Sequence, residues 1–180
     1  MTQADSSPVE PSDPAVADAD PESVARQILL RRLTGQPRSR AELEQTLARR
    51  QVPVEVATAL LDRFEEVGLV DDEAFARAWV QSRSTGKGLA RRALQAELRR
   101  KGIADETTRT VLAELDPDDE AATARKLVER KLRTLRGQPP EVQLRRLVGL
   151  LGRKGYPPGL AYRVARSSLG VQSEGDDELP

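Results

Sequence analysis

Two side-chain types central to much enzymatic chemistry are missing from this sequence: its 180 residues include no His and no Cys. That removes disulfides, thiolate zinc sites, Cys nucleophiles and imidazole bases, and with them every triad built on His. Carboxylates remain, most densely at Asp71-Asp72-Glu73. Three consecutive acids suit a divalent cation, but they suit the electropositive first turn of a helix better. No Asp-x-Asp-x-Asp loop follows, so an EF-hand is excluded. Thr85-Gly86-Lys87-Gly88 has the composition of a phosphate loop without its length or a preceding strand. Phe75 and Trp79, four apart in a chain with few aromatics, are expected in a core. The residues predict no catalytic set, no metal site and no cofactor.

The cations are more informative. Residues 1–22 hold six acids and no base, and 171–180 hold four acids and no base. The stretch 23–170 therefore holds 29 bases against 19 acids, a formal charge of +10. A basic body between acidic ends points to a polyanion or an acidic protein surface as partner. Basic pairs recur at Arg49-Arg50, Arg100-Lys101 and Arg153-Lys154. Cations at a helix C-terminus also complement the macrodipole, so each pair alone has an ordinary structural explanation. Arg92 and Arg99 lie seven apart, two turns along one face, and Arg145 and Arg146 occupy a comparable place later on. The candidate partner-binding residues are thus Arg91, Arg92, Arg99, Arg100 and Lys101, with Arg145, Arg146, Arg153 and Lys154. Charge is concentrated late: +2 over 23–70, +1 over 71–116 and +7 over 117–170.

These residues must be positioned by helices. Apolar residues recur at helical spacing across 22–170, without sustained period-two alternation. Val24, Ile28 and Leu29 mark a first helix over 24–33. Ser39 with Glu42 fits a capping box before Leu43 and Leu47. Pro53 opens a third helix with Val56, Leu60, Leu61 and Phe64. The acids at 71–73 open a fourth, which Gly86 and Gly88 break. Leu94 and Leu98 mark a fifth that Gly102 ends, and Val111, Leu112 and Leu115 a sixth. Pro117, Pro139-Pro140 and Pro157-Pro158 open the last three.

Nine helices in three groups suggest a repeat, and the residues support it. Leu47-Ala48-Arg49-Arg50-Gln51-Val52 aligns with Leu98-Arg99-Arg100-Lys101-Gly102-Ile103 and with Leu151-Gly152-Arg153-Lys154-Gly155-Tyr156. Ala-Arg-x-apolar-apolar recurs at Ala25, Ala76 and Ala124. The expected fold is all-α: three tandem three-helix units, 23–70, 71–116 and 117–170, in an elongated arrangement. The acidic stretches 1–22 and 171–180 lack periodic apolar positions and are expected to be disordered.

The repeat carries a resemblance. Gly68-Leu69-Val70-Asp71-Asp72-Glu73-Ala74-Phe75-Ala76, running on to Trp79 and Ser82-Arg83, resembles the RecX family of regulators of the RecA recombinase. Gly88-Leu89-Ala90-Arg91-Arg92, Lys101-Gly102-Ile103 and Ser39-Arg40-Ala41-Glu42-Leu43 fit the same family, over roughly 24–169. Gln51-Val52 departs from the Lys-Gly-aromatic ending often seen in the first unit, and the third unit matches loosely. The resemblance implies a non-enzymatic modulator, in the inhibitory sense, of recombinase, ATPase and co-protease activity. It would bind in the groove of the RecA–single-stranded DNA nucleoprotein filament. Single- or double-stranded DNA itself is a further candidate partner. A monomer is expected, and the cytoplasm as its compartment, since no stretch reads as a signal peptide or membrane span. The competing reading is a tandem helix-turn-helix DNA-binding protein. Against it, 53–67 carries Arg63 among Glu55, Asp62, Glu65 and Glu66, a poor recognition helix.

Overall fold

The structure, a computed structural model, describes residues 20–170. Among the described residues there are nine α-helices and no strand. They are α1 (Pro21–Gly35), α2 (Arg40–Arg49), α3 (Val54–Glu66), α4 (Asp72–Lys87), α5 (Arg91–Arg100), α6 (Asp105–Ala113), α7 (Pro117–Leu132), α8 (Pro140–Arg153) and α9 (Pro158–Ser168). By contacts, the described residues fall into two compact bodies, 20–37 with 43–69, and 38–42 with 70–170.

In the first body α1 packs on α3. Asp20 caps α1, accepting from the backbone N–H of Glu22 and Ser23, with Pro21 in the first turn. The helix therefore starts inside the stretch expected as a tail, 1–22; the remainder, 1–19, lies outside the described residues, as does 171–180. The buried face of α1 is Ala25 and Leu29; of the expected Val24, Ile28 and Leu29, only Leu29 is fully buried, Ile28 being partly buried and Val24 exposed. The Ala-Arg-x-apolar-apolar repeat gives the reason. Ala25, Ala76 and Ala124 are all fully buried, because a methyl side chain lets neighbouring helices come close. Leu43, Leu47, Ala57, Leu60, Leu61 and Phe64 complete the buried apolar set of this part of the chain.

The second body contains two clusters. Phe75, Ala76, Val80, Leu94, Leu98, Ile103, Val111 and Leu112 form one, from α4–α6. Leu127, Val128, Leu147, Leu151, Tyr156, Val164 and Ala165 lead the other, from α7–α9, which Ala90 and Leu135 join. Leu135 sits in the α7–α8 connection, where no periodic pattern marks it as buried. The fourth helix runs through Gly86 to Lys87, and Gly88 alone ends it at φ 61. Glycine inside a helix costs only about 1 kcal/mol, so Gly86 is not an obligatory break.

The second helix of each unit ends in one motif. The N–H of Val52, Ile103 and Tyr156 donates to the carbonyl five residues back, at Leu47, Leu98 and Leu151, over 3.2, 3.1 and 3.1 Å. The residue between is left-handed in every case: Gly102 at φ 76, Gly155 at φ 88 and Gln51 at φ 59. This is the Schellman ending, which favours glycine.

Candidate partner-binding surface

The basic residues sit on a scaffold whose polar contacts repeat inside the second body. The backbone N–H of Arg40, opening α2, donates to Asp72 Oδ1 at 2.8 Å. One period later, the N–H of Arg91, opening α5, donates to Glu120 Oε1 at 2.9 Å. Each carboxylate thus satisfies a helix N-terminal amide that no intrahelical carbonyl can reach. The other ends also match. Ser39 Oγ donates to the Lys101 carbonyl at 2.6 Å, and the Ala90 N–H donates to the Lys154 carbonyl at 2.9 Å. Ser39 and Glu42 cap reciprocally, as their spacing predicts. Close approach makes glycine necessary here: a Cβ on Gly102 would lie 2.3 Å from Ala41 Cβ, and one on Gly155 2.6 Å from the Ala93 nitrogen.

The two contact sets differ in what surrounds them. Phe75 and Trp79 stack at 5.7 Å. Arg83 lies 4.1 Å and the Lys101 ammonium 4.4 Å from the Trp79 ring centre. Trp79 is half-buried rather than a core residue on every side, and its indole N–H donates to Glu97 at 2.8 Å. Lys101 Nζ reaches Glu42 Oε1 at 2.6 Å. At the later contact set the Tyr156 hydroxyl donates to the Gly88 carbonyl at 3.2 Å. Burial pushes that hydroxyl up to about 12, and the Glu120 charge adds to the effect.

The nine candidate contact residues therefore divide. Arg91, Lys101 and Lys154 are engaged inside the fold. The Arg91 guanidinium donates to the Leu115 carbonyl, and Lys154 Nζ donates to the Lys87 carbonyl at 2.6 Å. Arg99 makes an exposed pair with Asp105 at 3.4 Å. Arg92, Arg100, Arg145, Arg146 and Arg153 are exposed, and none makes an ion pair with a described residue. Arg145, Arg146 and Arg153 share the face of α8 opposite the fully buried Leu147 and Leu151. Gly149 lies between them, with the Arg153 guanidinium folded towards it.

Single-residue reasoning missed how general this is. None of the 12 bases of 117–170, which include Arg125, Arg130, Arg133, Arg136 and Arg163, pairs with an acid among the described residues. The charge count of that stretch is the signal that points to them. Asp72 and Glu120 as caps of distant helices leave no local signal. Among the described residues no group of three or more His, Cys, Asp or Glu is arranged to hold a metal, and no helix is long and apolar enough to cross a membrane.

Comparison with known proteins bears on the same three segments. Models of the first, second and third three-helix domains of RecX match residues 25–64, 71–112 and 118–165. The chain is 54% identical over 159 residues to a regulatory protein RecX of Thermobifida fusca, covering 87% of this chain and 86% of that one. It is 52% identical to the protein of that name from Streptomyces coelicolor, covering 88% and 83%. A crystal structure of a regulatory protein RecX superimposes with a TM-score of 0.74 at 25% identity, over 85% of this chain and 75% of that one. The RecX of Lactobacillus salivarius, at 16% identity, shares the fold with a TM-score of 0.75 over 82% of this chain and 96% of that one.

Proposed function

Because the chain belongs to the RecX family of regulatory proteins, we propose that it restrains the RecA recombinase by binding the RecA–single-stranded DNA filament, without catalysing a reaction itself. Its working units in this reading are 23–70, 71–116 and 117–170, acting in the cytoplasm as a monomer. Occupying the filament groove would obstruct duplex DNA and co-protease substrates and slow ATP turnover.

One observation carries the reading beyond the family: the cations of 117–170 make no ion pairs with the described residues around them. A surface of exposed, unneutralised Arg attracts an acidic or polyanionic partner and makes binding salt-sensitive. Arg145, Arg146 and Arg153 are its centre on α8, with Arg92 and Arg100 a smaller contribution from α5. The test mixes the protein with RecA, single-stranded DNA and ATP, and follows ATPase and strand exchange. Both should fall as protein is added, and the effect should weaken as NaCl rises. No change in either assay would remove RecA as the target. Tight binding to labelled duplex DNA alone, with RecA unaffected, would favour the tandem DNA-binding alternative.

A further inference from the structure

An apolar groove of about 270 Å³ opens on the α7–α9 part of the second body, lined by Pro140 and Leu144 of α8 and by Tyr162 and Leu169 at α9. Glu141 and Arg166 complete its lining. Tyr162 is 47% exposed, the one aromatic among the large exposed apolar residues described. Leu169 is also the last residue before the chain turns: Gly170, at φ 71, is left-handed and ends α9. Gly170, the last described residue, therefore adjoins a residue that lines the groove.

That segment is complementary to what surrounds the groove. It carries Glu174, Asp176, Asp177 and Glu178, no base, and the apolar residues Val171 and Leu179 near its ends. Beside the groove, Arg145 lies one turn beyond Glu141, Arg163 adjoins Tyr162, and Arg166 lies within it. None of these arginines makes an ion pair with a described residue. Acids four to eight residues past Gly170 reach about 13–26 Å at an extended 3.3 Å per residue. The 14 residues of α8 span about 21 Å, so the length suffices.

We propose that residues 171–180 dock on the α8–α9 face of their own chain, Leu179 in the apolar groove and the four acids against Arg145, Arg163 and Arg166. Tethering supplies a local concentration of the millimolar order, so a weak contact is well populated. The docked segment covers part of the cationic face and competes with an acidic partner for it. The competition rests on the function proposed above; the docking does not.

The absence of Cys allows a direct test on the full chain. Pro180→Cys accepts a single nitroxide, whose paramagnetic broadening reports amides within its reach. Amides of 141–145 and 162–169 should broaden selectively at low salt. The effect should fall at least by about half in a chain also carrying Glu174→Gln, Asp176→Asn, Asp177→Asn and Glu178→Gln, and in about 1 M NaCl, where screening acts within about 3 Å. Broadening that is absent, or unchanged by both treatments, overturns the docking. The substitutions lie outside the described helices, so misfolding does not confuse the result. In a parallel titration of RecA filaments on fluorescein-labelled single-stranded DNA, the neutralised tail should bind about threefold more tightly, about 0.6 kcal/mol. Equal affinity would overturn the competition. Selective broadening with no filament binding by either protein would instead sink the RecA reading and leave the docking intact.

Discussion

In the second three-helix domain Arg77 bridges Glu73 and Glu114, Arg83 meets Glu97, Lys101 meets Glu42, and Arg99 and Arg109 pair with Asp105 and Glu106. In the third, built on the same three-helix plan, no base pairs with a described acid. Both have fully buried leucines at matching places, Leu94 and Leu98 in one, Leu147 and Leu151 in the other. The fold therefore does not need the ion pairs. The exposed pairs contribute little to stability, about 0–1 kcal/mol each, and of those named only Arg83–Glu97 and Lys101–Glu42 are partly buried. The main consequence of the pairing is a partly neutralised surface on one domain, where Arg92 and Arg100 stay unpaired, and a cationic one on its neighbour. On the function proposed above, the contrast assigns partner recognition to the third domain and leaves the second with charges mostly paired inside the fold.

The largest test of that contrast concerns Trp79. Its repeat equivalent is Leu127, so the third domain works without an aromatic there. Trp79→Ala should destabilise by about 3–5 kcal/mol in a denaturant titration. Trp79→Leu, which copies the third domain, should cost less than half of that, while removing the ring that Arg83 and Lys101 flank. An unchanged midpoint in Trp79→Ala would move Trp79 from cohesion to partner contact.

Tyr156 gives the third domain its own signature. Its hydroxyl titrates near 12 in the folded chain, above the ordinary 10, so the neutral form favours folding. Stability from this group is fully present below pH 10 and is lost as pH rises from 10 towards 12. Melting over that window should show a downward slope that Tyr156→Phe reduces; equal slopes would mean the hydroxyl is not held as described.

A smaller effect is expected at Thr108. Its hydroxyl is buried without a hydrogen-bond partner, and the third domain has Ala161 at the equivalent place. Thr108→Val keeps the shape and removes the orphaned hydroxyl, so stability should be unchanged or rise by up to about 1 kcal/mol. A loss beyond about 1 kcal/mol would show that the hydroxyl is satisfied in solution.

Much of this architecture is legible in the sequence because local signals coincide. Proline and acidic residues open helices, glycines close them, and the Leu pairs repeat at nearly one period. Gln51 hid its role, since a left-handed helix ending is usually marked by glycine. The division among the basic residues was not legible. Nothing near Arg91 in sequence reveals that its partners are Leu115 and Glu120, and nothing near Lys101 points to Glu42, 59 residues away. Pairing of surface charges is decided by tertiary neighbours, whereas helix formation is decided within a few residues.

The division of labour between the two domains is tested most directly by paired charge reversals. One variant carries Arg145→Glu, Arg146→Glu and Arg153→Glu; the other carries Arg92→Glu and Arg100→Glu. Lys154 is left in place because it holds the Lys87 carbonyl. Both variants should melt close to the parent, since all five side chains are exposed and make no ion pair with a described residue, and exposed charges contribute only about 0–1 kcal/mol each. Inhibition of RecA ATPase on single-stranded DNA should then require at least about tenfold more of the third-domain variant, about 1.4 kcal/mol, and no more than about threefold more of the second-domain variant. A folded third-domain variant that inhibits like the parent, beside a second-domain variant that does not, would contradict the assignment.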